Sequence, residues 1–200
     1  VVIDIPKDIQ NWEGEYSGTG SLPLQGYRTR LQSVMDNELD DSACERFYEM
    51  LGESERPLIY AGGGVINANA SKPMRQLANR YGIPVATTLM ALGASDSKHD
   101  LSLHMLGMHG TAFANYAVED CDFLIAVGAR FDDRVAADPP KFAPNARNIA
   151  HFDVDVSEIG KVKAVDWHHV GMLSRDLDDI LAFGKRIDFS KTFDAWHEEI

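Results

Sequence analysis

Residues 128–135 (GARFDDRV) leave an uninterrupted apolar run, 123–127 (FLIAV), and set Arg130, Asp132, Asp133 and Arg134 together in a loop. An isolated DDR is ordinarily a solvated turn. Beyond the carboxyl end of a parallel strand, however, a loop faces the crevice where α/β proteins hold ligands. A guanidinium offers a fork of donors to phosphate or carboxylate and stays charged at any working pH. Arg130 is suited to phosphate and Arg134 to the carboxylate of a small molecule, with Asp133 expected to orient Arg134. A second stretch, 103–110 (LHMLGMHG), gathers His104, Met105, Gly107, Met108, His109 and Gly110 into one predicted loop ahead of a helix. Its glycines allow close backbone approach to a flat ligand, and Thr111 can cap the helix that follows. His104 and His109 lack the H-E-x-x-H spacing with a carboxylate, which argues against zinc.

Two further positions could contact a nucleotide. Gly62, Gly63 and Gly64 follow a predicted strand, 57–61 (PLIYA), and precede a helix. That is where a pyrophosphate meets backbone N–H groups. The sequence GGGVINAN departs from G-x-G-x-x-G, so a tight turn without ligand is an equal reading. Asp153, near the end of a predicted strand at 148–154 (NIAHFDV), can accept hydrogen bonds from ribose hydroxyls. Asp155 or Ser157, ahead of Glu158, reads as a helix start.

The elements that position these residues follow from periodicity. Residues 41–52 (DSACERFYEMLG) have helical spacing, with Ala43, Phe47, Met50 and Leu51 on one side and Gly52 as a stop. Further helices are expected over about 72–81 (closed by Gly82), 109–120, 157–163 and 176–185, and strands over 57–61, 83–88, 123–127, 148–154 and 167–171. A strand-like run opens the chain at 1–5, and residues 6–32 lack periodicity and read as a connecting segment. Alternating strands and helices predict an α/β fold, a doubly wound and mostly parallel sheet with helices on both faces.

Composition narrows the classes. With 19 Lys+Arg against 31 Asp+Glu, the formal charge is −12, which argues against a nucleic-acid or anionic-membrane surface. An anionic cofactor therefore needs local compensation from particular arginines. No apolar run approaches the ~20 residues of a membrane span. Cys44 and Cys121 lie far apart and read as free thiols in a reducing cytosolic or organellar-matrix compartment. The chain opens at Val1 and closes within a helical-looking stretch, 193–200, so an excised domain is expected.

Residues 103–110 and 128–135, supported by the glycine loop and by IPKDIQ at 5–10, resemble the central domain of the acetohydroxyacid (acetolactate) synthase catalytic subunit. These are thiamine-diphosphate enzymes carrying an FAD with no net redox role. The resemblance runs from residue 1 to the helix ending near Lys185. It implies a Rossmann-like fold, with 1–35 connecting domains, 36–186 binding FAD and 187–200 starting a linker. It implies FAD contacts at Gly63, Thr88, Leu89, Leu106, Gly107, Met108, His109, Gly128, Ala129, Arg130, Phe131, Asp132, Asp153 and Val154. It places Lys7, Met108, Asp133 and Arg134 along the substrate channel, Arg134 reading the second substrate's carboxylate. At 170–172 the family usually has V-G-D; here Met172 stands in the third place.

The resemblance further implies that thiamine diphosphate and Mg2+ are bound outside this chain, which lacks a G-D-G segment and the activating glutamate. The parent enzyme would condense pyruvate with pyruvate or 2-ketobutyrate in branched-chain amino-acid biosynthesis, and this chain alone would be inactive. Its own N- and C-terminal domains, a homo-oligomer and a small regulatory subunit are the implied partners. Two alternatives stand beside this: the same domain in another thiamine-diphosphate carboligase, decarboxylase or oxidase, and a free-standing adenine-nucleotide sensor. The full open reading frame would separate them.

Overall fold

The computed structural model describes residues 4–15, 18 and 26–200. The strand expected at 1–5 falls largely outside them, and Asp4 and Ile5 belong to no element. Helix α1 (Lys7–Gln10) is one exposed turn, and α2 (Tyr27–Asp36) follows Gly26. Both interrupt what the sequence reads as a connecting segment. Arg175 holds the end of α2 to the body of the fold, donating to the carbonyls of Met35 and Asn37 at 2.8 and 2.6 Å.

The Asp40 carboxylate accepts the Ala43 N–H at 2.7 Å and starts α3 (Asp41–Glu53). Helix α3 runs past Gly52 and buries Cys44, Phe47, Tyr48, Met50 and Leu51. Then come β1 (Pro57–Ala61), a short α4 (Gly63–Asn67), α5 (Ser71–Tyr81), β2 (Val85–Thr87) and β3 (Ser102–Met105). Gly82 closes α5 in the left-handed region at φ 70°. The second half holds α6 (Ala112–Asp120), β4 (Phe123–Val127), β5 (Asn148–Asp153), β6 (Trp167–Val170), α7 (Leu173–Arg186) and α8 (Asp194–Glu199).

The six strands form one parallel sheet in the order β3-β2-β1-β4-β5-β6. All residues of β1 and β4 are buried, as expected of central strands covered on both faces. On one face Phe47 meets the rings of Phe123, Phe152 and Trp167 at 5.8, 5.8 and 5.7 Å. Tyr60, pointing oppositely along β1, packs with Phe131 and Phe142 at 5.4 and 5.7 Å. Cys44 and Cys121 are free and buried, and burial pushes their thiols up to about 11 and about 12.

Several boundaries differ from the sequence reading, each for a local reason. Residues 102–105 are not loop but the edge strand β3, paired on one side only and irregular against β2, so no continuous apolar run marks them. Helix α6 starts at Ala112, because the Thr111 side chain accepts the Ala114 N–H. The helix expected at 157–163 is a single turn, Val156–Glu158, cut short ahead of Gly160 at φ 69°. Residues 187–200 pack on the body of the fold: Phe193 and Trp196 are buried, and the Trp196 indole donates to the Pro57 carbonyl at 3.1 Å.

At the amino ends of the central strands, Asp122 is the fastener. One carboxylate oxygen accepts the Ser54 hydroxyl at 2.5 Å and the Arg56 N–H at 2.9 Å; the other accepts the Glu55 N–H at 2.9 Å and Arg147 at 2.6 Å. Burial pushes the Asp122 carboxyl up, but these hydrogen bonds outweigh it and hold it below the usual carboxylate range. The stability it contributes is therefore complete above the unfolded carboxylate pKa near 4 and is lost as pH falls through the lower folded value. Asp122→Ala should cost about 2–3 kcal/mol at pH 7, and denaturant melts at pH 7 and pH 3 should show the gap from wild type closing at the acid end.

Candidate functional site

The strand order reverses direction between β1 and β4, which run side by side. In open α/β sheets the crevice beyond such a point is the ligand site. Here the two loops leaving it interlock. The Gly62 N–H donates to the Val127 carbonyl at 2.9 Å, Gly64 to Gly128 at 3.1 Å, and Gly128 to Phe152 at 2.8 Å. A Cβ on Gly62 or Gly64 would strike the Gly128 backbone, and Gly128 itself sits at φ 57°. Gly62 and Gly64 are thus needed for backbone-to-backbone approach, and their N–H groups already have protein acceptors.

The interlock opens into a cleft of about 620 Å³, within the range of small-molecule sites. Among the predicted residues, Gly63, Thr88, Leu89, Gly128, Ala129, Arg130, Asp132, Arg134 and Asp153 all line it. They come from the ends of four strands. Arg130 is largely exposed and pairs with Asp132 at 3.4 Å. A surface pair this loose is worth little and leaves the guanidinium available to an anion. Asp132 also accepts the Arg134 N–H at 3.2 Å, which sets the turn. Asp133 approaches the Arg134 side chain only at 4.0 Å, both being exposed. Asp132 thus sets the turn of this loop, while Asp133, the residue expected to orient Arg134, stands at the edge of ion-pair distance from it.

The other predicted residues lie elsewhere. Leu106 is buried, while Met108 and His109 are exposed beside the cleft and not on its lining. Gly107, at φ 94°, still brings this loop to the first: a Cβ there would lie 2.9 Å from the Arg134 carbonyl. The Phe131 ring is buried among Tyr60, Phe142 and His151, so it supports the cleft floor and does not face a ligand. Val154 is half-exposed off the lining, and Lys7 sits on exposed α1. Both unusual stretches contain a non-glycine residue at positive φ, His104 on edge strand β3 at 61° and Phe131 in the loop after β4 at 55°. Such strain concentrates at functional sites.

Sequence reasoning assigned no ligand role to Tyr60, Asn67, Met90, Val135, Asp155 and Glu158, all of which line the cleft. Asn67 and Glu158 sit just past strands β1 and β5, the one signal that could have found them. Asp155 does cap the turn as read, accepting the Ser157 N–H at 2.9 Å and hydroxyl at 2.7 Å. Those bonds hold its carboxyl below the usual range. The cleft thus has an arginine side, Arg130 and Arg134, and a carboxylate side, Asp153, Asp155 and Glu158.

Residues 44–180 match the family described as thiamine pyrophosphate enzyme, central domain. The chain belongs to that family. Among curated relatives, the acetolactate synthase large subunit of Parasynechococcus marenigrum is 42% identical over the whole chain, and that of Corynebacterium glutamicum 41%. The chloroplastic acetolactate synthase of Arabidopsis thaliana is 45% identical over 82% of the chain. The chain spans 32%, 30% and 23% of the length of these three proteins, so the relatives are larger, multidomain enzymes. Among the described residues, no helix is long and apolar enough to cross a membrane.

In this thiamine pyrophosphate enzyme central domain, Met172 occupies the N-cap of α7 and makes no side-chain cap. Met172→Asn supplies an acceptor for the free N–H groups of the first turn without adding a charge near buried Asp176. It should stabilise the fold by about 0.5–1 kcal/mol and raise the melting temperature by roughly 1–4 °C. An unchanged or lowered melting temperature would show that the first turn gains nothing from a cap.

Proposed function

We propose that this chain is the FAD-holding central domain of an acetolactate synthase large subunit. The observation that carries the reading is the interlocked glycine floor, which brings Arg130, Arg134 and Asp153 onto one nucleotide-sized cleft. The donor set fits a dinucleotide: glycine backbone that tolerates a close pyrophosphate, Arg130 as its counter-charge, and Asp153 as acceptor for ribose hydroxyls. Leu89 and Met90, beside Thr88, offer an apolar rim to a flat ring, and the exposed Met108 and His109 would close over it when a ligand is bound. Arg134 binds and orients a substrate carboxylate.

The relatives, acetolactate synthases from bacteria and plants, support the wider reading. The whole enzyme would condense two 2-keto acids, pyruvate with pyruvate or 2-ketobutyrate. Thiamine diphosphate, held with Mg2+ by other domains, supplies the carbanion chemistry, while FAD acts without net redox change. Residues 36–186 would form the FAD domain proper, with 1–35 leading in from one domain and 187–200 out to another. A homo-oligomer, a small regulatory subunit and a bacterial cytoplasm or organellar matrix complete the proposal, with Lys7 and Met108 toward the substrate channel.

Two experiments test it. Arg130→Ala should weaken FAD binding by about 10- to 100-fold, as expected for a lost charged hydrogen bond; a flavin titration matching wild type would overturn the assignment. In the full-length enzyme, Arg134→Lys should keep flavin content and pyruvate decarboxylation but shift the ratio of the two acetohydroxyacid products, because an ammonium cannot replace the guanidinium fork. Lost flavin with an unchanged product ratio would put Arg134 on the cofactor instead.

A further inference from the structure

His151 is fully buried in the middle of β5, and among the described residues neither of its ring nitrogens has a hydrogen-bond partner. Its strand neighbours Ile149, Ala150 and Phe152 are apolar, and an apolar side chain would fill the place without desolvating two nitrogens. Two features give the imidazole a purpose. Asp153 projects from the same face of β5, since side chains alternate along a strand, and its Oδ2 lies 3.6 Å from His151 Nε2. Oδ1 of Asp153 is already engaged, accepting the Asp155 N–H at 2.9 Å. The ring is clamped edge-on by Phe131, with centroids 5.3 Å apart and planes at 90°. Phe131 is held in turn between Tyr60 and Phe142.

We infer that His151 is a positioning residue that holds the Asp153 carboxylate toward the ribose diol of a bound adenine nucleotide, with Phe131 fixing the imidazole. The inference rests on the nucleotide reading of the cleft and adds a chain of contacts, Phe131 to His151 to Asp153, by which the arginine-bearing loop shapes the ribose end. It also explains why Phe131 belongs to the site without touching its ligand. With its proton on Nε2, His151 sets a donor 3.6 Å from Oδ2, close enough to steer that oxygen, while Oδ1 accepts the Asp155 N–H and Asp153 lines the cleft. A donor at the Nε2 position is what the role requires, and a glutamine amide can provide one, whereas leucine cannot.

The test compares ADP with 2′,3′-dideoxy-ADP by titration calorimetry on this chain. Wild type should prefer ADP by about tenfold or more. His151→Leu should cut that preference to about threefold or less by weakening ADP alone, and His151→Gln should restore most of it. Equal weakening of both nucleotides in His151→Leu, or a preference that survives it, would overturn the positioning role. A second measurement needs no variant: the His151 ring-nitrogen NMR signals of wild type should move with ADP and stay still with the dideoxy compound. Signals that ignore ADP, or that respond alike to both nucleotides, would overturn it too. Failure of wild type to bind ADP or FAD at all would instead remove the nucleotide reading on which this rests.

Discussion

The approach of two backbones, Gly62–Gly64 against Gly128, is the constraint on which the rest of this structure depends. Strands β1 and β4 are neighbours throughout their length, and the chain must leave both at the same end without its loops colliding. Removing the Cβ atoms from that crossing lets the loops exchange hydrogen bonds directly, Gly62 to Val127 and Gly64 to Gly128. Once joined, they splay outward and leave the cleft between them. Alanine at 62 or 64 would push the loops apart, and the distance between Arg130 and the β5 carboxylates would change with them.

The electrostatics follow from this frame. A chain with net charge −12 repels anions at long range, so an anionic ligand must find its attraction locally. Arg130 and Arg134 provide it from one loop, held by Asp132 through a side-chain pair and a backbone bond. Asp153, Asp155 and Glu158 gather past β5, where a sugar's hydroxyls would need acceptors and a further phosphate would be repelled. The strand each loop leaves decides where the guanidinium groups and where the unaccompanied carboxylates stand.

Much of this was legible in the residues. The buried runs 57–61 and 123–127 declared themselves as central strands because both faces are covered and nothing polar interrupts them. Arg130 and Arg134 could be placed beyond a strand end and Asp153 at one, hence on the crevice. The edge strand β3 was not legible: one pairing partner and a bulge leave no periodic signal in SLHM. The 157–163 segment carried a helix-start motif, yet Gly160 ended it after one turn. Phe131 could not be sorted from its exposed neighbours, because one residue at positive φ sends its ring into the core while Arg130 and Asp132 stay outside. The acidic lining at Asp155 and Glu158 was read as capping alone, since a carboxylate's local and ligand-facing roles share one sequence signature.

The packing of the last segment bears on where this domain can be cut. Trp196 is tied to the Pro57 carbonyl at the start of β1, and the Phe193 N–H donates to the Tyr81 carbonyl at the end of α5. A polypeptide stopped at 186 would leave the entry to the central strand unroofed and two acceptors bare, even though every residue of the cleft would still be encoded. The cooperative unit is therefore longer than the binding unit. An expression boundary drawn from the cleft-lining residues alone would therefore cut away packing that the central strand relies on.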